Sequence, residues 1–314
     1  MINSPLSLNS ALLWPMIQQQ SYHALACGAL QPIETHYEFI EQEGMVFLVR
    51  VVANLIRKEI ADRQQKSNAE RGQLSNPFLP YDSNLFVTDL SDTHLCLLNK
   101  YNVVNNHILI VTRNFEDQDT WLNSRDFQAL SLCLSQIDGL AFYNGGRLAG
   151  ASQRHKHLQL IPPPLCPDHH PLPLAEVIAS LNLETPAVEA YLLNGVPQIQ
   201  KSSTFGFLHG IISLPYQWWR REHGEEILVK GYHTLLAGLG GNLASTPQTF
   251  PYNLLITRQW MMIVSRRQEQ YQSIPVNSLG FAGSLLVKNQ DQLALVKALG
   301  PMKILQQVAS QSKA

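Results

Sequence analysis

The chain has 314 residues, room for one large domain or two of modest size. Apolar residues make up 45% and charged ones only 15%, so a sizeable core is available and disorder is disfavoured. With 23 Lys plus Arg against 24 Asp plus Glu the net charge is −1. That balance excludes the basic surplus of a general nucleic-acid binder or of a polybasic membrane-surface protein.

No charge precedes Glu34, so Met1 to Ile33 lacks the basic segment of a secretory leader. A second charge-free stretch, Gly231 to Thr257, is broken by Gly238, Gly240, Gly241, Pro247 and Pro251, and no membrane span is read there. Cys27, Cys96, Cys133 and Cys166 lie too far apart for a CxxC pair. They read as free thiols of a cytoplasmic protein.

In chain order, Phe47, Leu48, Val51, Val52, Leu55, Ile56 and Ile60 recur at steps of three and four and predict a long amphipathic helix from Met45 to Lys66. Gln64 to Asn76 reads as a loop, closed by the rigid turn Asn76-Pro77-Phe78-Leu79-Pro80. Short strands follow at Leu85–Val87, His94–Asn99 and His107–Thr112. Ser124 is read as the cap of a helix from Arg125 to Ile137, with Gly139 as its stop. Strands at Leu140–Tyr143 and His155–Ile161 flank a glycine-rich turn, and Pro162-Pro163-Pro164 ends the block.

A Pro/His-rich linker, Cys166 to Pro173, sets a soft boundary that divides the chain into 1–165 and 166–314. Beyond it, helices are predicted at Pro173–Leu181, Pro186–Leu193 and Tyr216–Leu239. Strands are predicted at Tyr252–Thr257, Trp260–Ser265 and Gly283–Lys288, with closing helices at Gln290–Leu299 and Met302–Ser310. Helices and clustered strands in this mixture predict an α+β fold with mainly antiparallel pairing. The strand pairs at 94–112 and 252–265 hint at two related halves.

The segment that carries chemistry runs from Phe142 to Ile161. His155, His157 and Gln159 alternate with Lys156, Leu158 and Leu160, and alternate side chains of a strand share a face. Two imidazoles and a carboxamide therefore line one side of one strand. The turn upstream, Gly145 to Ser152, offers backbone N–H groups to an anion. It is not a P-loop: Gly145 and Gly150 have the spacing, but Ala151 replaces the lysine and a strand follows. Three readings stay open on the residues alone. The histidines are ordinary strand residues, or two metal ligands in want of a third, or one of them is a neutral nucleophile toward phosphorus. Asp168, His169 and His170 lie after the prolines, but their spacing specifies no metal site.

The run Phe142 to Gln159 resembles the active-site signature of diadenosine tetraphosphate (Ap4A) phosphorylases, or ATP adenylyltransferases. These belong to the histidine-triad superfamily, in the branch shared with galactose-1-phosphate uridylyltransferase. Asn76-Pro77-Phe78, Leu97 to Lys100, His107 to Thr112, Tyr252 to Leu255, Thr257-Arg258 and Asn277 to Lys288 extend the likeness over about residues 40 to 300. Arg154 departs from it, standing where many members have Pro, and Tyr101-Asn102 replaces a Phe-Pro pair.

The resemblance implies a histidine-triad-like antiparallel sheet flanked by helices. The N-terminal part would be catalytic and the C-terminal part would complete a nucleotide pocket. It implies cleavage of Ap4A by phosphate to ATP and ADP, with His157 as nucleophile, Gln159 donating to a phosphate oxygen and His155 orienting. Gly150, Ala151, Ser152 and Gln153 would hold phosphates, Asn144 the nucleotide, and Lys100, Asn277, Ser278, Gly283 and Lys288 the substrate. Lys58 and Arg147 are further basic candidates. The chain lacks the cysteine spacing of a structural zinc, so no protein-held metal is expected. A divalent cation, magnesium, would arrive with the polyphosphate. Partners would be small nucleotides, not nucleic acid or membrane. Turnover of another adenylate such as adenosine phosphosulfate, or a nucleotide sensor without turnover, are the alternatives.

Overall fold

A computed structural model describes residues 12–53, 76–164, 166, 173–193, 195–245 and 248–311. Lys58, Asp168, His169, His170 and most of the 64–76 loop lie outside these residues. Among the described residues no helix is long and apolar enough to cross a membrane.

Helix α1 (Leu13–Ala26) leads into a hairpin, β1 (Thr35–Gln42) and β2 (Met45–Val52). Glu43 and Gly44 both take positive φ, 53° and 77°, which matches a two-residue primed turn. β2 corrects the helix expected from Met45, as far as the described residues reach. Val46, Val49, Val51 and Val52 are stiff at χ1 and suit a pleated ladder. β2 pairs with β1 on one edge and, in parallel, with the late strand β13 (Ser284–Val287) on the other. A central strand buried on both faces reads as a continuous apolar run, which mimics a helical period.

The main sheet has eight strands: β3 (Phe86–Asp89), β4 (His94–Leu98), β5 (Ile108–Thr112), β6 (Leu140–Gly145), β7 (His157–Ile161), β8 (His209–Ser213), β9 (Tyr252–Ile256) and β10 (Trp260–Ser265). Their spatial order is β3-β4-β5-β7-β6-β9-β10-β8, and every pairing is antiparallel. Helix α2 (Ser124–Gln136) lies between β5 and β6 in the chain. Helices α3 (Pro173–Ser180) and α4 (Val188–Leu193) precede β8, and α5 (Gly224–Gly238) follows it. Strand–helix–strand–strand thus occurs twice, as β5-α2-β6-β7 and β8-α5-β9-β10. The two sets meet at the β6–β9 seam with mirrored order, and the pair that answers to 252–265 is β6-β7, not the 94–112 pair expected from the sequence.

α2 and α5 pack together on one face, where Phe127 and Tyr232 sit 5.2 Å apart by ring centroid. Leu158, Leu160, Leu254 and Ile263 point into that core. On the opposite face, the second half is covered by the three-stranded sheet, α3, and the helices α6 (Ser278–Phe281), α7 (Gln290–Leu299) and α8 (Pro301–Val308). Met262, Val264 and Ile211 are buried there. Over the first half, the described residues place on this face a small cluster of Leu95, Leu97, Leu109, Val111 and Phe78. A short pair, β11 (Gln270–Tyr271) and β12 (Ile274–Pro275), precedes α6.

Among the boundaries that differ from expectation, two have a clear local cause. Asn123, not Ser124, caps α2: its Oδ1 accepts from the N–H groups of Arg125 and Asp126, and Asp126 returns a bond to the Asn123 N–H. The helix expected from Tyr216 begins at Gly224, after a 3₁₀ turn at Trp218–Arg220 and with Gln217 at φ 56°. A side chain at Gly224 would meet the Trp218 carbonyl at 2.8 Å.

Candidate active site

β7 presents His157 and Gln159 on the face that carries Phe78, Leu109 and Val111, and His155 precedes them in an isolated bridge with Asp117. The shared face read from the alternation is observed: the rings of His155 and His157 lie 5.5 and 5.4 Å from that of Phe78. Lys156 points the other way, against α2.

The ladder between β6 and β7 ends at Phe142–Gln159. Beyond it the strands part, and the Gln118 side chain bridges the gap. Its Oε1 accepts from the His157 N–H at 2.8 Å, and its Nε2 donates to the carbonyls of Asn144 at 3.0 Å and His157 at 3.3 Å. The nucleophile candidate is thus held by its own backbone, through a residue 39 positions away.

The proton positions follow from the partners. His157 Nδ1 is 2.8 Å from the His155 carbonyl, which only accepts, so Nδ1 carries the proton and Nε2 keeps its lone pair. Burial lowers the His157 pKa to about 4, so the ring is neutral at physiological pH. His155 Nε2 donates to the Thr112 carbonyl at 2.8 Å, and its Nδ1 accepts from Asn76 at 2.9 Å. Both His155 nitrogens are therefore engaged within the protein, which leaves that ring unsuited to attack or to ligate a metal. Among the described residues no group of three His, Cys, Asp or Glu side chains could hold a metal ion.

Two carboxamides flank His157, each held by its oxygen. Gln159 Oε1 accepts from His107 Nε2 at 3.0 Å. Asn144 Oδ1 accepts from Asn253 Nδ2 and from the Ser278 N–H, both at 2.9 Å, and lies 2.8 Å from the Ser278 hydroxyl. In each, the NH₂ end is the half left to donate, which is what a phosphate oxygen needs.

The glycine turn is braced from behind. Gly146 and Gly150 take φ 89° and 87°, a region that side chains rarely adopt. A Cβ on Gly150 would lie 2.6 Å from the Val276 carbonyl. The N–H groups of Gly150 and Ala151 donate to the carbonyls of Arg147 and Gly146 at 2.9 and 3.3 Å, so they close the turn itself. That narrows the phosphate contacts expected of this segment; Ser152 is exposed, and Gln153 is half-buried. Behind the turn, Arg266 is buried and donates to the carbonyls of Ala149 at 3.2 Å and Val308 at 3.2 Å, and to Asn253 Oδ1 at 2.5 Å. Among the described residues no carboxylate bonds it; burial lowers its pKa to about 9, with Glu269 nearby opposing.

Of the remaining expected residues, Ser278 is wholly buried beside Asn144, and Asn277 caps α6 by accepting from the Leu279 N–H at 3.0 Å. Gly283 takes φ 91° in the turn before β13. Lys288 is exposed at the end of β13, and Arg147 is exposed 3.5 Å from Glu269. Lys100 is half-buried next to Asn99, whose side chain reaches His107. Asn99, His107 and Asn253 lie in segments that carried the resemblance but were given no role there, and Gln118 and Arg266 were not singled out at all. Each makes at least one polar contact across 8 or more positions, up to the 117 between Arg266 and Ala149, and spacing along the chain carries no trace of these.

A neutral strand histidine whose Nε2 keeps its lone pair, a carboxamide two residues on, and a braced glycine turn upstream suit a nucleotidyltransferase of the histidine-triad type. The family models agree over most of the chain. Residues 3–180 match the Ap4A phosphorylase N-terminal domain and 204–311 the ATP adenylyltransferase C-terminal domain. The chain belongs to the Ap4A phosphorylase (ATP adenylyltransferase) family.

Similar proteins include diadenosine tetraphosphate phosphorylase 2 of Saccharomyces cerevisiae, 28% identical over 269 residues, which are 79% of this chain and 78% of that protein. Protein APA1 of the same yeast is 25% identical over 209 residues, 62% of this chain and 61% of that one. The crystal structure of yeast Ap4A phosphorylase Apa2 superposes with a TM-score of 0.76 at 24% identity, covering 97% of this chain and 96% of that chain. The Apa2 complex with Ap4A gives the same TM-score at 23% identity, covering 97% and 99%.

Proposed function

We propose that the protein cleaves Ap4A with inorganic phosphate to ATP and ADP, reversibly, through a covalent AMP–histidine. The observation that carries this is the His157 ring itself: Nδ1–H is tied to the His155 carbonyl, and the buried, neutral Nε2 is left as a nucleophile. Nε2 attacks the α-phosphorus, the bond to the bridging oxygen breaks, and ATP leaves with that oxygen. Phosphate then attacks the same phosphorus from the vacated side. The P–N bond breaks, ADP leaves and His157 is restored.

Gln159 and Asn144 would donate NH₂ groups to non-bridging oxygens as charge builds there; losing one such donor costs about 10²–10³ in rate. Ser152 and Gln153 would add contacts, with Gly150 and Ala151 shaping the turn. Lys100 and Lys288 would serve the polyphosphate, Asn277 and Gly283 would shape the segment leading to Lys288, and Ser278 would act from beneath by holding the Asn144 carboxamide. Magnesium would come with the polyphosphate, as it commonly does in phosphate transfer. We place the protein in the cytoplasm, which suits the free thiols of Cys96, Cys133 and Cys166.

The test is incubation of the protein with Ap4A and magnesium, with and without phosphate, and separation of products by anion exchange. Equal ATP and ADP, formed only with phosphate and absent for His157→Ala with an unchanged melting profile, is the expected result. AMP plus ATP without phosphate would make the protein a hydrolase. Bound but intact Ap4A would make it a sensor. Turnover of adenosine phosphosulfate alone would move the substrate to another adenylate.

A further inference from the structure

We infer that His107 is a positioning residue, which fixes the rotation of the Gln159 carboxamide so that its NH₂ end, not its oxygen, faces the reacting phosphate. The inference rests on the phosphorolysis reading and adds a residue to it. A terminal carboxamide has two nearly isosteric ends, one acceptor and one double donor, and its rotation is set by whatever it bonds. Toward a phosphate the two ends have opposite effects. The NH₂ stabilises the oxygens, whereas the carbonyl repels them.

The direction is set by a relay that begins in the backbone. Asn99 Oδ1 accepts from the Tyr101 N–H at 3.3 Å, which turns its Nδ2 toward His107 Nδ1 at 3.1 Å. Nδ1 therefore accepts, and the single proton of the neutral ring sits on Nε2. That proton meets Gln159 Oε1 at 3.0 Å. The relay holds only while His107 stays neutral, because a cation would place a proton on Nδ1 against the Asn99 NH₂. Burial lowers the His107 pKa to about 4, with the nearby His157 adding to the effect, so the neutral form holds through the physiological range. His107 is also packed against Phe142, with ring centroids 5.8 Å apart, so its own rotation is restricted. Gln159 is half-buried, and its exposed part lies on the face of His157.

A double-mutant cycle tests this. His107→Phe keeps a ring in the space and removes both hydrogen bonds; His107→Gln restores an N–H donor near the Nε2 position. Steady-state kcat and KM for Ap4A phosphorolysis would be measured for the wild type, His107→Phe, Gln159→Ala and the double variant. AMP affinity by calorimetry gives a second readout that does not need turnover. We expect His107→Phe to lose about 10- to 100-fold in kcat with KM changed less than about threefold, less than the about 10²–10³ for losing the donor outright, because the carboxamide is misplaced and not removed. In the Gln159→Ala background the same change should cost less than about twofold. His107→Gln should recover most of the loss. AMP affinity should show the same non-additivity.

A full loss from His107→Phe on top of Gln159→Ala would mean a merely structural role and overturn the inference. So would unchanged kcat in His107→Phe. A wild type that makes no ATP and ADP defeats the phosphorolysis reading instead, and the cycle on AMP affinity then decides the His107–Gln159 coupling by itself.

Discussion

Lys156 Nζ lies 3.1 Å from Asp126 Oδ2, with neither side chain exposed beyond 1%. The pair sits on the back of β7, behind the peptide that carries His157. Asp126 also accepts from His94 Nε2 at 3.0 Å and from the Asn123 N–H at 2.8 Å, so one carboxylate joins α2, β4 and β7.

Removing Lys156, which also reaches Glu116 at 2.8 Å, leaves the buried Asp126 carboxylate with only the His94 and Asn123 donors, a loss of up to about 3–5 kcal/mol. Lys156→Met should therefore destabilise strongly, and adding Asp126→Asn, which removes the charge but keeps an acceptor for His94, should recover part of it. Urea unfolding checks this, and a single-variant loss under about 1 kcal/mol would sink the idea. Burial alone would raise the Asp126 pKa, but the His94 bond, the Lys156 charge and the Asn123 N–H outweigh it and hold it below the usual range. A carboxyl depressed in the fold adds stability above its unfolded value, about 3.9, and loses it as the pH falls through the folded value. Acid unfolding should thus be shallower in Asp126→Asn than in the wild type.

The pH profile of kcat/KM should report the neutral state of His157. An exposed histidine would lose activity below about 6.5. Here the ring resists protonation until about 4, so activity should stay level from neutral pH to about 5. Stability has the matching sign. The unfolded ring takes up its proton near 6.5, so the fold weakens between about 6.5 and 4. An acid limb centred at 6.5 under conditions where the protein remains folded would contradict this.

Gly150→Ala combines two costs, a positive φ and a Cβ 2.6 Å from the Val276 carbonyl. We expect at least about tenfold loss in kcat and about 1–3 kcal/mol in stability. Gly28→Ala is the control. It also has positive φ, 78°, but opens onto space with nothing within 4 Å, so stability alone should fall, by about 1 kcal/mol. Equal kcat values in the two variants would refute the braced turn.

Arg266→Lys should fail where the charge alone would predict success. The guanidinium reaches Ala149, Asn253, Val308, Gln268 and Glu269 in a fixed fork, and an ammonium has three donors at one point. Both Arg266→Lys and Arg266→Met should unfold at lower urea concentration and lose turnover about tenfold or more. Half of wild-type activity in Arg266→Lys would show that the turn does not depend on the fork.

Much of the site was legible because strand periodicity is local. His155, His157 and Gln159 had to share a face once the strand was placed. The glycine turn was legible from its composition, but its N–H groups were not: Gly150 and Ala151 donate within the turn, which only coordinates reveal. β2 misled because a doubly buried strand loses its alternation. β1, β8 and the Gln118 bridge carry no periodic signal at all. Ser278 was placed near the substrate by resemblance, and the structure puts it beneath Asn144.

The parallel ladder between β2 and β13 ties residues 45–52 to residues 284–287. The last part of the chain thus supplies an edge for a hairpin made near its beginning. β2 cannot have both neighbours until nearly all of the chain has been synthesised. A ribosome-bound or truncated N-terminal piece would leave that apolar strand with an open edge, ready to pair with another copy. Separately expressed pieces cut between the two family-model regions should therefore stay soluble together more readily than apart.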